Sequence, residues 1–142
     1  IVAAGGGLGS PARLFEVATG AFIRKIREAG PATFCPDGRL ATADPDGVVK
    51  LEDPVTGAVT ARLRGHRGDV HDLSFSDDGA LLASAGDDGT IRVWRVATRR
   101  QVLSLRLFRR VFHVALSPAS RLLTADLGKG LVGVWDLAAL RR

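Results

Sequence analysis

His66, Ser84 and Asp88 fall within one short stretch of the chain, and together they are the residue types of a nucleophilic triad. Such catalysis needs an exposed hydroxyl, a base within reach and a site for the oxyanion, and no nucleophile-elbow motif surrounds Ser84. Carboxylates gather in the turns at 44–47, 77–79 and 87–89, where calcium is the chemistry to consider. An EF-hand loop places ligands at alternating positions and closes with a Glu, which none of these has. Asp-Gly is also what a tight hairpin turn demands, since the turn requires positive φ. The histidines, His66, His71 and His113, show no paired ligand spacing, so neither a metal nor a cofactor is expected. "GGGLGS" at 5–10 is followed by a proline and the strand-like "ARLFEV", whereas a phosphate loop opens a helix. A turn between two strands is the expected reading.

The charge points elsewhere. The 142 residues carry a net charge of +5, with arginine strongly preferred over lysine. Residues 95–110, "RVATRRQVLSLRLFRR", hold six arginines and no acid. They read either as a solvated outer strand whose charges discourage edge pairing, or as a basic rim for an acidic or phosphate-bearing partner from Arg95 to Arg110. Phe108 is the only ring in the segment, which does not suit single-stranded nucleic acid. No apolar run approaches the roughly 20 residues of a membrane helix, and no membrane partner is expected. The opening residues lack the basic segment and apolar core of a secretory signal. The one cysteine, Cys35, has no partner for an internal disulfide, which favours a reducing, cytoplasmic setting. The start lacks an initiator Met, and an excised piece of a longer protein is expected.

These residues belong to a repeat. "VWRVATR" at 93–99 has counterparts in "LFEVATG" at 14–20, "LEDPVTG" at 51–57 and "VWDLAAL" at 134–140. The aligned positions Phe15, Glu52, Trp94 and Trp135 are 37, 42 and 41 residues apart. "FSDDGALLASAGDDG" at 75–89 recurs in register as "FCPDGRLATADPDG" at 34–47 and, more loosely, "LSPASRLLTADLGKG" at 116–130. A period near 40 marks repeated supersecondary units, none able to bury its faces alone.

Each unit reads as strands. "VHDLSF" (70–75), "ALLAS" (80–84), "TIRVW" (90–94) and "RQVLSLR" (100–106) are short β-rich runs separated by turn signals. Four such strands make one antiparallel sheet, and stacked sheets bury both faces. A mean hydropathy of +0.12 fits that burial. No segment sustains the 3.6-residue apolar period of a helix. The fold class expected is all-β.

Residues 65–95, "GHRGDVHDLSFSDDGALLASAGDDGTIRVWR", resemble the WD40 family of β-propellers. The likeness lies in the Gly-His, the alternating strand, the Asp-Gly turns and the strand ending in Trp. It implies a partial β-propeller of four-stranded antiparallel blades. It also implies a hydrogen-bonded chain from the Trp94 indole through Ser84 and His66 to Asp88, a structural staple rather than a triad. Arg95 replaces the Asp that usually follows the Trp, while Trp135-Asp136 keeps the dipeptide. The other units depart further: Glu52 stands for Trp in the second, Lys129 for Asp and "LFRR" for Gly-His in the last, and Phe15 for Trp in the first. Blades are expected at 1–28 (second to fourth strands), 29–64, 65–107 and 108–142 (first to third strands).

The resemblance implies a non-catalytic scaffold or sensor module that binds other proteins on the face of the Gly-His and Asp-turn loops. The candidate contacts are Arg67, Asp69, His71, Asp87 and Pro45, with Arg109 and Arg110 in the last unit. One alternative is a propeller enzyme, lactonase-like or cofactor-dependent, which needs converging polar side chains at one inner position of several blades. That set reads Leu73, Phe34 and Val114 or neighbours, without a polar cluster. Another is the regulatory propeller of a kinase or signalling ATPase, which alters the context but not the mechanism.

Overall fold

The computed structural model of the chain describes residues 2–4, 11–26, 30–119 and 121–138. The glycine-rich segment 5–10 lies outside the described residues. What is described is all-β: antiparallel sheets of three, four, four and three strands in chain order. The first sheet holds β1 (Val2–Ala4), β2 (Ala12–Phe15) and β3 (Phe22–Ile26), and the second β4 (Ala32–Phe34), β5 (Leu40–Ala43), β6 (Val49–Glu52) and β7 (Val59–Leu63). The third comprises β8 (Val70–Phe75), β9 (Leu81–Gly86), β10 (Thr90–Arg95) and β11 (Arg100–Arg106), and the fourth β12 (Val114–Leu116), β13 (Leu122–Gly128) and β14 (Leu131–Asp136). Within each sheet the strands follow one another as simple meanders, and the described connections inside the sheets are short turns that reverse the chain.

The sheets stack as an arc. Leu14, Ile26 and Leu40 join the first to the second, and Val49, Leu51 and Leu63 meet Leu73, Leu82 and Trp94 between the second and third. Ala83, Ile91 and Val93 meet Val114, Leu123 and Ala125 between the third and fourth. With neighbours on both faces, β9 is buried at every position, which is why it reads as a continuous apolar and small-residue run rather than an alternating one. The first strand of each later sheet, β4, β8 and β12, lines the inside of the arc, and β11 lies at the outer edge of its blade.

One end of the strands gathers the loops that carry the candidate contact residues. The turns after β5, β9 and β13 lie beside the loops that lead from one sheet to the next. Gly89, at φ +70°, shows how closely: a Cβ there would come within 2.7 Å of the Leu107 carbonyl. The basic segment is spread along the outer strand of its sheet. Arg100 pairs with Arg95 at one end of β11, and Arg106 with Thr90 at the other, roughly 20 Å away at about 3.3 Å per residue.

The outward face of the fourth sheet is open: Leu122, Val132 and Val134 are exposed there at 37, 66 and 59%. Contiguous apolar surface of this kind is rare on monomers. The isolated 142-residue chain is therefore expected to self-associate with rising concentration, and Val132→Glu with Val134→Lys to suppress it. Light scattering checks this; an unchanged mass over a wide concentration range would contradict it.

Candidate functional site

Cross-strand register brings the site together. Ser84 lies opposite Arg92 and Leu82 opposite Trp94, so Ser84 and Trp94 are diagonal neighbours on one face, a spacing an indole spans. Trp94 Nε1–H donates to Ser84 Oγ at 2.9 Å. Ser84 Oγ is 2.7 Å from His66 Nε2, and His66 Nδ1 is 3.1 Å from Asp88 Oδ1. Burial pushes the His66 pKa below its ordinary 6.5, outweighing the Asp88 carboxylate. A neutral ring then runs the chain in one direction: indole N–H to serine, serine O–H to Nε2, and Nδ1–H to the carboxylate.

Asp88 is the anchor. Besides His66 it accepts from the Thr90 hydroxyl at 2.7 Å, the Thr90 N–H at 3.0 Å and the Arg67 N–H at 3.0 Å. Burial alone would raise its pKa, but these donors hold it at about 2. Arg92 completes the network through Nε to Thr90 Oγ1 at 3.2 Å. Sequence reasoning missed Thr90 and Arg92 as members. The signal was the Thr after Asp-Gly, where a hydroxyl can reach back to the turn carboxylate. Gly65 explains its half of the Gly-His pair: a Cβ would meet the Trp94 ring at 3.0 Å and the Arg92 guanidinium at 2.5 Å.

These bonds are the internal geometry of a Ser-His-Asp triad, yet Ser84 is 0% exposed and the His66 side chain equally closed to solvent. The Trp94 N–H occupies the face of Ser84 Oγ that an attacking hydroxyl would need free. Both shifted groups bind protons more weakly folded than unfolded, so acid favours the unfolded chain. The His66 contribution is complete above about 6.5 and fades below it; that of Asp88 is complete above 3.8 and lost toward about 2. The denaturation midpoint is expected to fall steadily from pH 7 to pH 3, measured by guanidinium melts, and Asp88→Asn to flatten the acid end of that profile.

The expected contact residues lie at one end of the strands, and some of them touch. His71 Nε2 is hydrogen-bonded to Asp87, whose carboxylate also lies 3.5 Å from Arg110 Nε. The His71 ring is 4.8 Å from that of Phe112, a half-exposed residue the sequence reading did not single out. Arg67, Asp69, Arg109 and Pro45 are exposed at the same end of the strands, and the Asp69 carbonyl accepts the Asp87 N–H at 2.9 Å. Arg109 lies against Gly128, its guanidinium 2.7 Å from where a Cβ would stand.

At the inner edge it is the neighbours of the residues named that face inward. Leu73 and Val114 are buried between sheets, and Phe34 packs in the core between the first and second. Polar residues take the inner edge instead: Asp72 accepts the Val114 N–H at 2.9 Å and Ser74 the Leu116 N–H at 3.0 Å, tying the third sheet to the fourth. Beside them is an open groove of about 340 Å³ lined by Asp72, His113, Thr124, Asp126 and Val132, among others. Asp72 also accepts the Leu73 N–H at 2.9 Å, so its oxygens are engaged by backbone donors.

Residues 57–95 match the family model described as WD domain, G-beta repeat. The chain carries a WD40 repeat within a partial β-propeller. A crystal structure of the Cps50 (Swd1) β-propeller domain of Myceliophteria thermophila superposes with a TM-score of 0.73 at 26% identity, over 78% of this chain and 36% of that one. Among curated proteins, the nuclear distribution protein PAC1-2 of Uncinocarpus reesii is 39% identical over 75 residues, 53% of this chain. The ribosome biogenesis protein erb1 of Neosartorya fischeri is 46% identical over 54 residues, 38% of this chain. The matched segments span only 16% and 7% of those two proteins.

At the aligned positions of the second and fourth sheets other contacts stand. In the second blade Glu52, 6% exposed, stands at the Trp position. Arg24 reaches across from β3 to pair with it at 2.9 Å and donates Nε–H to the Pro54 carbonyl at 2.8 Å. In the last blade Thr124 Oγ1 donates to the Ala115 carbonyl at 3.4 Å, while Trp135 is half-buried against the third sheet.

Proposed function

We propose that this chain is a non-catalytic protein-interaction module, intracellular, with its partner surface at the end of the arc that bears the 65–71 loop, the 86–89 turn and the 107–113 loop. The observation that supports this most is the division of roles between neighbouring side chains. Ser84, His66 and Trp94 are committed to a buried network, whereas Arg67 and Asp69, beside His66, and Arg109 and Arg110, on a loop bonded to the Gly86 and Gly89 carbonyls, are exposed. Rigid scaffolds that display adaptable loops are how such folds bind. Cys35 offers no competing chemistry, since burial raises its thiol pKa away from the reactive thiolate.

A photo-crosslinking residue placed at Arg67, Asp69 or Arg109 tests this, with Asp37 and Thr98 at the opposite ends of the strands as controls. Adducts with proteins of the source cell are expected from the first set only. Adducts of equal yield from both sets, or none from the first, would contradict the reading.

A further inference from the structure

The loop from β11 to β12 stands where the third blade has Gly-His, and it is built to display its tip. The Leu107 N–H donates to the Gly89 carbonyl at 2.7 Å and the Val111 N–H to the Gly86 carbonyl at 3.3 Å, so both ends are pinned to one turn. Val111 is fully buried. Between these anchors Phe108, Arg109 and Arg110 all stand in solvent, Phe108 at 106%, as exposed as in an extended peptide. Phe112, 49% exposed, follows immediately and leans on His71. Asp87 is engaged by His71 and Arg110, and no ion pair of Arg109 is seen among the described residues.

An exposed aromatic residue beside arginines, on a backbone already fixed, has the composition of an interface anchor. A bare polyanion would satisfy the arginines and leave Phe108 in water. A carboxylate matches the planar guanidinium in two-point contact, and an apolar side chain beside it would cover the ring. We propose that Phe108, Arg109 and Arg110, with Phe112 and His71, form a docking site for an acidic protein segment that presents an aromatic or aliphatic side chain among its carboxylates. The proposal rests on the reading of this end of the arc as the partner surface.

The test is fluorescence anisotropy on the 142-residue chain. The probes are a labelled peptide with a phenylalanine flanked by glutamates and its counterpart with serine at the centre; heparin and phosphatidylserine vesicles are the competitors. The phenylalanine peptide is expected to bind about tenfold tighter than the serine one, and Phe108→Ser to remove that difference, as truncation of an anchor does. Arg109→Gln with Arg110→Gln should weaken both peptides and flatten the salt dependence. Arg99→Gln with Arg100→Gln, at the far end of β11, should change neither. All these side chains are exposed, and an unchanged melting midpoint confirms that the variants fold. Equal binding of the two peptides, indifference to Phe108→Ser, or heparin or vesicles binding tighter than the phenylalanine peptide would overturn the proposal in favour of a polyanion or membrane surface. If neither peptide binds while crosslinks still form at Arg67 and Asp69, this inference fails and the wider reading stands; if the crosslinks fail too, both fall.

Discussion

Trp94→Ala is expected to cost about 3–5 kcal/mol of stability, the range for emptying a large buried aromatic site. The side chain is 2% exposed and packs with Leu82, Leu73, Val49 and Leu51 between the second and third sheets. The cavity is only part of the loss, because the Ser84 hydroxyl also forfeits its indole donor. His66→Ala acts differently: the buried Ser84 hydroxyl loses its acceptor, at about 1–3 kcal/mol for a donor left unpaired, while Asp88 keeps its Thr90 and Arg67 donors. Guanidinium melts distinguish the two: both lower the midpoint, and Trp94→Ala lowers it more. A variant of full stability would mean that the chain of bonds is not what holds the blade.

Arg24→Ala is the second large effect. It would leave Glu52 as an unpaired carboxylate between the first and second sheets, and breaking a buried pair costs about 3–5 kcal/mol. The Arg24 side chain keeps 21% exposure and that of Glu52 8%, which places the loss at the lower end of that range. Replacing both members, Arg24→Met with Glu52→Leu, removes the charge together with its partner and should recover most of the stability. Thermal melts of the single and double variants check this. A double variant as unstable as Arg24→Ala alone would show that the guanidinium contact to the Pro54 carbonyl, rather than the ion pair, joins the sheets.

The two blades differ in how legible they were. The third blade was open to reading because its residues are individually uncommon choices: a Gly-His, paired Asp-Gly turns and a Trp closing a β-branched strand all point to one arrangement. Glu52 was legible only as a departure. Its partner Arg24 belongs to another sheet, and nothing along the chain marks residues 28 apart as neighbours. Asp72 and Ser74 escaped for a related reason, since both accept N–H groups 42 residues later. The arginines of 95–110 were legible as an outer strand, but not their spread: near in sequence, they are carried by that strand to opposite ends of the sheet. Strand periodicity shows which face a residue takes, but stacking decides what it meets.

Exchange of the tryptophan indole protons tests the account most directly. The chain has two tryptophans, so nitrogen-15 NMR gives each indole its own resonance. If Ser84 is a buried bridge rather than a nucleophile, the Trp94 indole proton is hydrogen-bonded and sealed. It should then exchange with solvent only on global unfolding, far more slowly than that of half-buried Trp135, and Ser84→Ala should abolish the difference. Rapid exchange at both indoles would mean that water reaches Ser84, and with it a substrate, and would contradict the structural role assigned to His66, Ser84, Asp88 and Trp94.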